Sequence, residues 1–243
     1  MGWLSTAQDV EDYSKDGLIC QLDGDGGDAA YRTALYIFLC SLDPSTRSLA
    51  CKYKISLCQA CIVSPGIFIR HPDKSKWWSN PRNFSRDQAA KFILAMASVN
   101  WKVIIRGWLL RMNDRNWFHQ NDQDGVTGKP KFPDIILPGE IANLIRGLDL
   151  KNYKWLLQFI DLRFFIDLLA RKRQTWDYDS LMACDLIYAQ IKYPTIASRI
   201  VSKLYLKTDF RERLRENYAY KNNGIEPLGE LYIQAADKYL APN

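Results

Sequence analysis

The feature that most constrains this chain is a succession of helix-period segments, each with its own start and stop signals. Asp28 precedes an apolar-periodic stretch ended by Asp43-Pro44, and residues 45–63 form a second such stretch, stopped at Ser64-Pro65-Gly66. Ser85-Arg86-Asp87-Gln88 has the form of a capping box, which predicts a long helix running to about Met112. Its apolar residues at 92, 93, 96, 99, 103 and 104 keep close to helical spacing. After a polar interval the pattern returns over residues 138–148, 152–173, 179–192, 194–206, 209–220 and 226–240. Pro194 fits a first helical turn, where its missing N–H is no loss, and Asp177 and Asp179 read as caps of the helix they precede. Short turns between helices of this length imply antiparallel neighbours. Strand signals are scarce, with residues 66–70 the one candidate. The expectation is an all-α single domain over residues 1–243, built of antiparallel helical hairpins as a bundle or a partial α/α toroid.

Composition agrees with a folded domain. Apolar residues make up 47% of the 243 and charged residues 25%, too apolar for disorder. The most apolar run, residues 155–170, is interrupted by Asp161, Arg163 and Asp167, so no membrane span is expected. Charge is costly in such a run unless paired. Arg163 and Asp167, four apart, are expected to pair, which leaves Asp161 unexplained. The first residues have no basic or apolar leader character, so the expected location is the cytoplasm or a virion. The net charge of +6 favours an anionic partner without requiring one. Cys51, Cys58 and Cys61 fall on one helical face, so the Cys58–Cys61 spacing reads as small hydrophobes rather than a metal or redox pair. No phosphate-cradling loop, nucleophile elbow, kinase set or zinc-protease helix is present, and two histidines leave little for multi-histidine metal chemistry.

Two stretches break the helical rhythm, residues 70–84 and 114–138, and long loops in a helical domain usually serve a purpose. Upstream, the run 23–28 places Asp23, Asp25 and Asp28 among three glycines. Gly27 and Leu35 stand where an EF-hand would need ligands, so that motif fails; a looser calcium site at Asp23, Asp25 and Asp28 is the alternative, and no cofactor is otherwise expected. Asp28 reads as a helix cap, and Arg32, four residues on, as its ion-pair partner. An aspartate crowded by its neighbours is a candidate acid or base, which singles out Asp25. Within residues 70–88, Trp77 and Trp78 supply flat apolar faces beside Arg70, Arg86, Asp87 and Gln88, a mixture suited to a ligand with apolar faces and polar edges. His71 lies in the same loop, away from any apolar period. His119 sits in a second run of aromatics, amides and carboxylates.

On these residues the chain resembles, in style and without a diagnostic motif, the (α/α)-toroid glycoside hydrolases and polysaccharide lyases. The resemblance implies Asp25, His71 and Asp87 as catalytic groups and Trp77 and Trp78 as sugar platforms. Asp23, Asp28, Arg32, Arg70, Arg86, Gln88 and His119 would contact the substrate, a glycan or an anionic polysaccharide cleaved by a carboxylate pair. The competing expectation is a non-enzymatic interaction or assembly protein, such as a phage virion component, with the tryptophans as interface anchors. Single-stranded nucleic-acid binding ranks last, because no basic stripe accompanies the aromatics.

Overall fold

Ala29 through Cys40 are buried without interruption, so the helix they form is enclosed on every face and must sit at the centre of the molecule. A computed structural model describes residues 2–20, 28–73, 75, 79–119, 121–123, 129–170, 176–217, 219–220 and 224–241. The fold is predominantly α-helical, as expected. In chain order the helices are α1 (Trp3–Glu11), α2 (Ala29–Ser41), α3 (Arg47–Cys61), α4 (Arg86–Ser98), α5 (Lys102–Asp114) and α6 (Pro138–Gly147). They continue as α7 (Lys154–Ile160), α8 (Arg163–Ala170), α9 (Trp176–Ile191), α10 (Ile196–Tyr205), α11 (Phe210–Asn217) and α12 (Pro227–Leu240). Three two-stranded antiparallel sheets accompany the helices: β1 (Ser14–Lys15) with β2 (Leu18–Ile19), β3 (Ile62–Ser64) with β4 (Ile67–Phe68), and β5 (Ala219–Tyr220) with β6 (Gly224–Ile225).

α2 and α4 form the central pair. α3 packs on α2, α6 and α9 pack on α4, and α12 joins α1 to α9 and α2. Aromatic rings tie α4 to the β3–β4 hairpin: Phe68 stacks on Phe92 at 4.3 Å between centroids, and Phe84 lies 5.5 Å from Phe68. At the other end of α2, the Tyr36 hydroxyl donates to the carbonyl of Ala7 (2.7 Å), and Tyr36 meets Tyr53 edge-on at 5.0 Å. Asp43 holds the α2–α3 turn by accepting from the Ser45 amide (3.0 Å) and from Lys238 of α12 (2.8 Å). These bonds pull its carboxyl down to about 2. Burial pushes the thiols of Cys40 and Cys58 up to about 12, which makes them poor nucleophiles at neutral pH.

Several sequence expectations are corrected. The segment foreseen as one helix from Ser85 to Met112 is two, because Asn100 takes a left-handed conformation (φ 57°) and the Trp101 amide reaches back to Met96 (2.8 Å), a Schellman-type ending. Ser85 stands at the α4 N-cap without a capping hydrogen bond, since its hydroxyl accepts from Arg70 instead. Residues 152–173 are likewise split, into α7 and α8, at Asp161 and Leu162. α9 begins at Trp176, so Asp177 and Asp179 lie inside its first turns rather than ahead of it. Pro194 precedes the first turn of α10, whose N-cap is Thr195, accepting from the Ser198 amide (3.1 Å). Residues 209–220 end as the short strand β5, and the strand foreseen at 66–70 is only Ile67–Phe68.

Candidate functional site

The α2 N-terminus meets the start of α4 at a junction built by Arg70. Its carbonyl accepts from the Ala30 amide (3.0 Å), one of the first-turn donors that α2 cannot satisfy internally. Its guanidinium then spreads over three segments: Nε donates to the Asn83 carbonyl (2.9 Å), Nη2 to Ser85, and Nη1 lies 3.7 Å from Asp28 Oδ1. Gln88 Nε2 donates to the same Asp28 oxygen (2.8 Å). Asp28 occupies the N-cap position of α2 but makes no capping hydrogen bond, because Arg70 and Gln88 take its carboxylate. Nor does Arg32 have the partner foreseen for it: it pairs with Glu226, at the N-cap of α12, in a buried contact.

The structure therefore brings together Asp28, Arg70 and Gln88 among the residues singled out from sequence, with Arg32 one turn deeper. Arg86 and Asp87 sit half-buried in the first turn of α4 beside them, and Asp87 has no hydrogen-bond or ion-pair partner among the described residues. His71 is half-buried, its Nδ1 accepting from the Asp73 amide (2.9 Å). Asp23, Asp25, Trp77 and Trp78 lie outside the described residues. His119 is not joined to this cluster by any described contact. It is buried against Glu140 (Nε2 to Oε2, 3.1 Å), with Trp108 6.1 Å away between ring centroids. Burial pushes the Glu140 carboxyl up, opposed by His119. The two irregular stretches do meet: Arg82 Nε donates to Asp122 (2.7 Å), Asn80 to Gln123 (3.1 Å), and Arg115 also reaches Asp122 (3.3 Å).

Sequence reasoning missed Lys91 and Glu226. Lys91 lies within an otherwise apolar α4 face, fully buried, its ammonium 5.8 Å from the Tyr31 ring centre and beside the Cys184 thiol. A lysine flanked by Ala89, Ala90, Phe92 and Ile93 was the available signal. Glu226 carried none, since its partner Arg32 is 194 residues away.

A second region stands out by what it leaves uncovered. Trp155, Phe159, Leu162, Ile166 and Leu169 recur at steps of four and three residues across α7 and α8, and all five are exposed, Phe159 to 66%, Ile166 to 68% and Leu169 to 82%. α10 packs against α8 and adds exposed Ile196, Ile200 and Leu204. Five such side chains on two consecutive helices and the turn between them exceed the scattered apolar exposure usual for a monomer surface. The opposite face of these helices is held by a buried ionic network. Arg146 pairs with Asp161, which also accepts from Thr195 Oγ1 (2.9 Å), and Arg163 pairs with Asp185 (2.7 Å); the pairing of Arg163 with Asp167 expected from sequence falls on a side chain outside the described part. Gly139 admits the Asp185 carboxylate to the N-terminal turn of α6, since a Cβ there would fall 2.4 Å from Asp185 Oδ2.

Comparison with protein-family models, with curated proteins and with solved structures returned no match.

Proposed function

We propose that this chain is a non-enzymatic interaction or assembly protein that seats an amphipathic helix of another protein on the face formed by α7, α8 and α10. The observation that carries the reading is the set of exposed apolar side chains at residues 155, 159, 162, 166 and 169, on α7, α8 and the turn between them. Charge selects the occupant. Beside the stripe, Lys154 is taken by Asp149 (3.2 Å) and Arg163 by Asp185 (2.7 Å), whereas Arg199 and Lys203 on α10 have no ion pair among the described residues. Two copies would oppose like charges, so the fitting partner is a helix with acidic flanks. A synthetic helix with leucines at the seam and glutamates beside them is expected to bind, measured by fluorescence anisotropy. Its lysine-flanked counterpart is not, and I166D or L169D should weaken binding by about a hundredfold or more, the expected size for a central apolar anchor. Binding unaffected by both substitutions would sink the reading, and so would self-association through this face in light scattering, or sedimentation with anionic vesicles in the absence of peptide binding. Among the described residues no helix is long and apolar enough to cross a membrane.

A carbohydrate-active enzyme is the second reading, supported by the junction at which Asp28, Arg70 and Gln88 tie the start of α2 to the irregular segment ahead of α4. Asp87 and His71 at its edge would then be the proton-transfer groups. On this reading a screen of neutral and anionic polysaccharides yields cleavage that D87N and H71A each abolish, with stability within roughly 2 kcal/mol of the parent. Full turnover in D87N would eliminate it.

A further inference from the structure

A cleft of about 600 Å³ opens between the end of α9, α10 and the end of α12, on the side of α10 that carries Arg199 and Lys203. This volume lies within the range of small-molecule sites. Its charge is one-sided. Lys238 at the rim is neutralised by Asp43 (2.8 Å), but Arg199 and Lys203, one helical turn apart, have no acidic partner among the described residues. Like charges at this spacing repel, and an anion between them removes the repulsion. Gln190, also on the wall, has a buried amide nitrogen with no acceptor among the described residues. Ile191, Pro194 and Tyr239, whose hydroxyl donates to the Leu42 carbonyl, supply an apolar part of the wall, next to Ser202.

We propose that this cleft binds a small organic phosphate monoester, its dianionic phosphate held between Arg199 and Lys203 and its apolar body lying on Tyr239, Ile191 and Pro194. Two adjacent cations match a dianion better than a single carboxylate, and a guanidinium presents two parallel donors to phosphate oxygens. The apolar wall distinguishes an ester from free phosphate. The cleft shares Arg199 and Lys203 with the edge of the helix-docking face, so phenyl phosphate binding is read separately from peptide binding.

Phenyl phosphate is the probe, titrated by calorimetry and by thermal shift, with inorganic phosphate and benzyl alcohol as controls. Saturable one-site binding is expected, weakening as salt rises. R199A and K203A should each lower affinity by about tenfold or more, K203R should stay within about threefold of the parent, and I166D should leave it unchanged. Both cations are solvent-exposed, so the variants are expected to fold, which circular dichroism checks. Absence of saturable phenyl phosphate binding to the parent would overturn the proposal. An R199A/K203A double variant that binds like the parent would do the same. Inorganic phosphate binding as tightly as phenyl phosphate would overturn the assignment of the apolar wall.

Discussion

Asp161→Ala is expected to destabilise the fold by about 3–5 kcal/mol, the cost of leaving a buried charge without its counter-charge. Arg146 and Asp161 are both fully enclosed. Thr195 donates to the same carboxylate (2.9 Å), Arg163 Nη1 approaches its other oxygen (3.7 Å), and Arg146 Nε is spent on the Lys192 carbonyl (2.8 Å). Removing the carboxylate strands the Arg146 guanidinium inside the protein and unties α10 from the α7–α8 joint. Asp161→Asn keeps an acceptor for Thr195 but not the charge, so it should fall between parent and alanine variant. In a chain of this length the alanine variant should lose roughly 10 °C or more in Tm. The double replacement Arg146→Met with Asp161→Leu should recover much of the loss, because an apolar pair of similar size avoids desolvating either ion. Urea unfolding of the four proteins measures the cycle. An alanine variant within about 1 kcal/mol of the parent would mean that water reaches Arg146.

The β3–β4 turn offers the second large effect, and a built-in control. Gly66 follows Pro65 with φ +75°, the left-handed second position of a type II turn. A Cβ there would lie 2.5 Å from the Gly107 carbonyl oxygen and 2.7 Å from Arg111 Cβ, both in α5. Gly66→Ala combines a left-handed alanine, about 1–2 kcal/mol, with overpacking against helix backbone that cannot swing away, about 1–3 kcal/mol. A loss of about 3 kcal/mol is expected. Gly107 sits across the same contact in the interior of α5, and a Cβ there meets nothing closer than the Gly66 amide nitrogen at 3.4 Å. Gly107→Ala should therefore be neutral or stabilising by up to about 1 kcal/mol, since alanine is the better helix former. Equal and small effects of the two substitutions in chemical denaturation would show that α5 yields to the hairpin.

Where the sequence carried local information, its reading of the helices held. Apolar period, glycine and proline stops and acidic starts lie within one or two turns of one another, so α2, α3, α6 and α12 appear within a residue or two of where their patterns place them. The same local rules failed at Asn100, where a single left-handed residue ends α4 although the apolar period runs on into α5. Capping failed similarly. Ser85 and Asp28 occupy cap positions, but the Ser85 hydroxyl accepts from Arg70, an ionised donor that makes a stronger hydrogen bond than a backbone amide, and the Asp28 carboxylate accepts from Gln88 beside Arg70.

Ion-pair choice was beyond the sequence altogether. Spacing of four residues suggested Asp28 for Arg32, yet Arg32 pairs with Glu226, and Arg163 finds Asp185, 22 residues away in sequence. An exposed pair one turn apart is worth a few tenths of a kcal/mol, whereas a buried guanidinium without a carboxylate costs several, so burial decides the pairing. Asp161 shows both sides of this. Its presence in an apolar run was visible as an anomaly, but only the packing of α6 and α10 against that run supplied Arg146 and Thr195. The exposed stripe across α7 and α8 follows from the same event: the run is apolar on more than one face, and the sequence alone does not say which face turns inward. The buried ionic network takes the side of Asp161, and Trp155, Phe159, Leu162, Ile166 and Leu169 are left on the other.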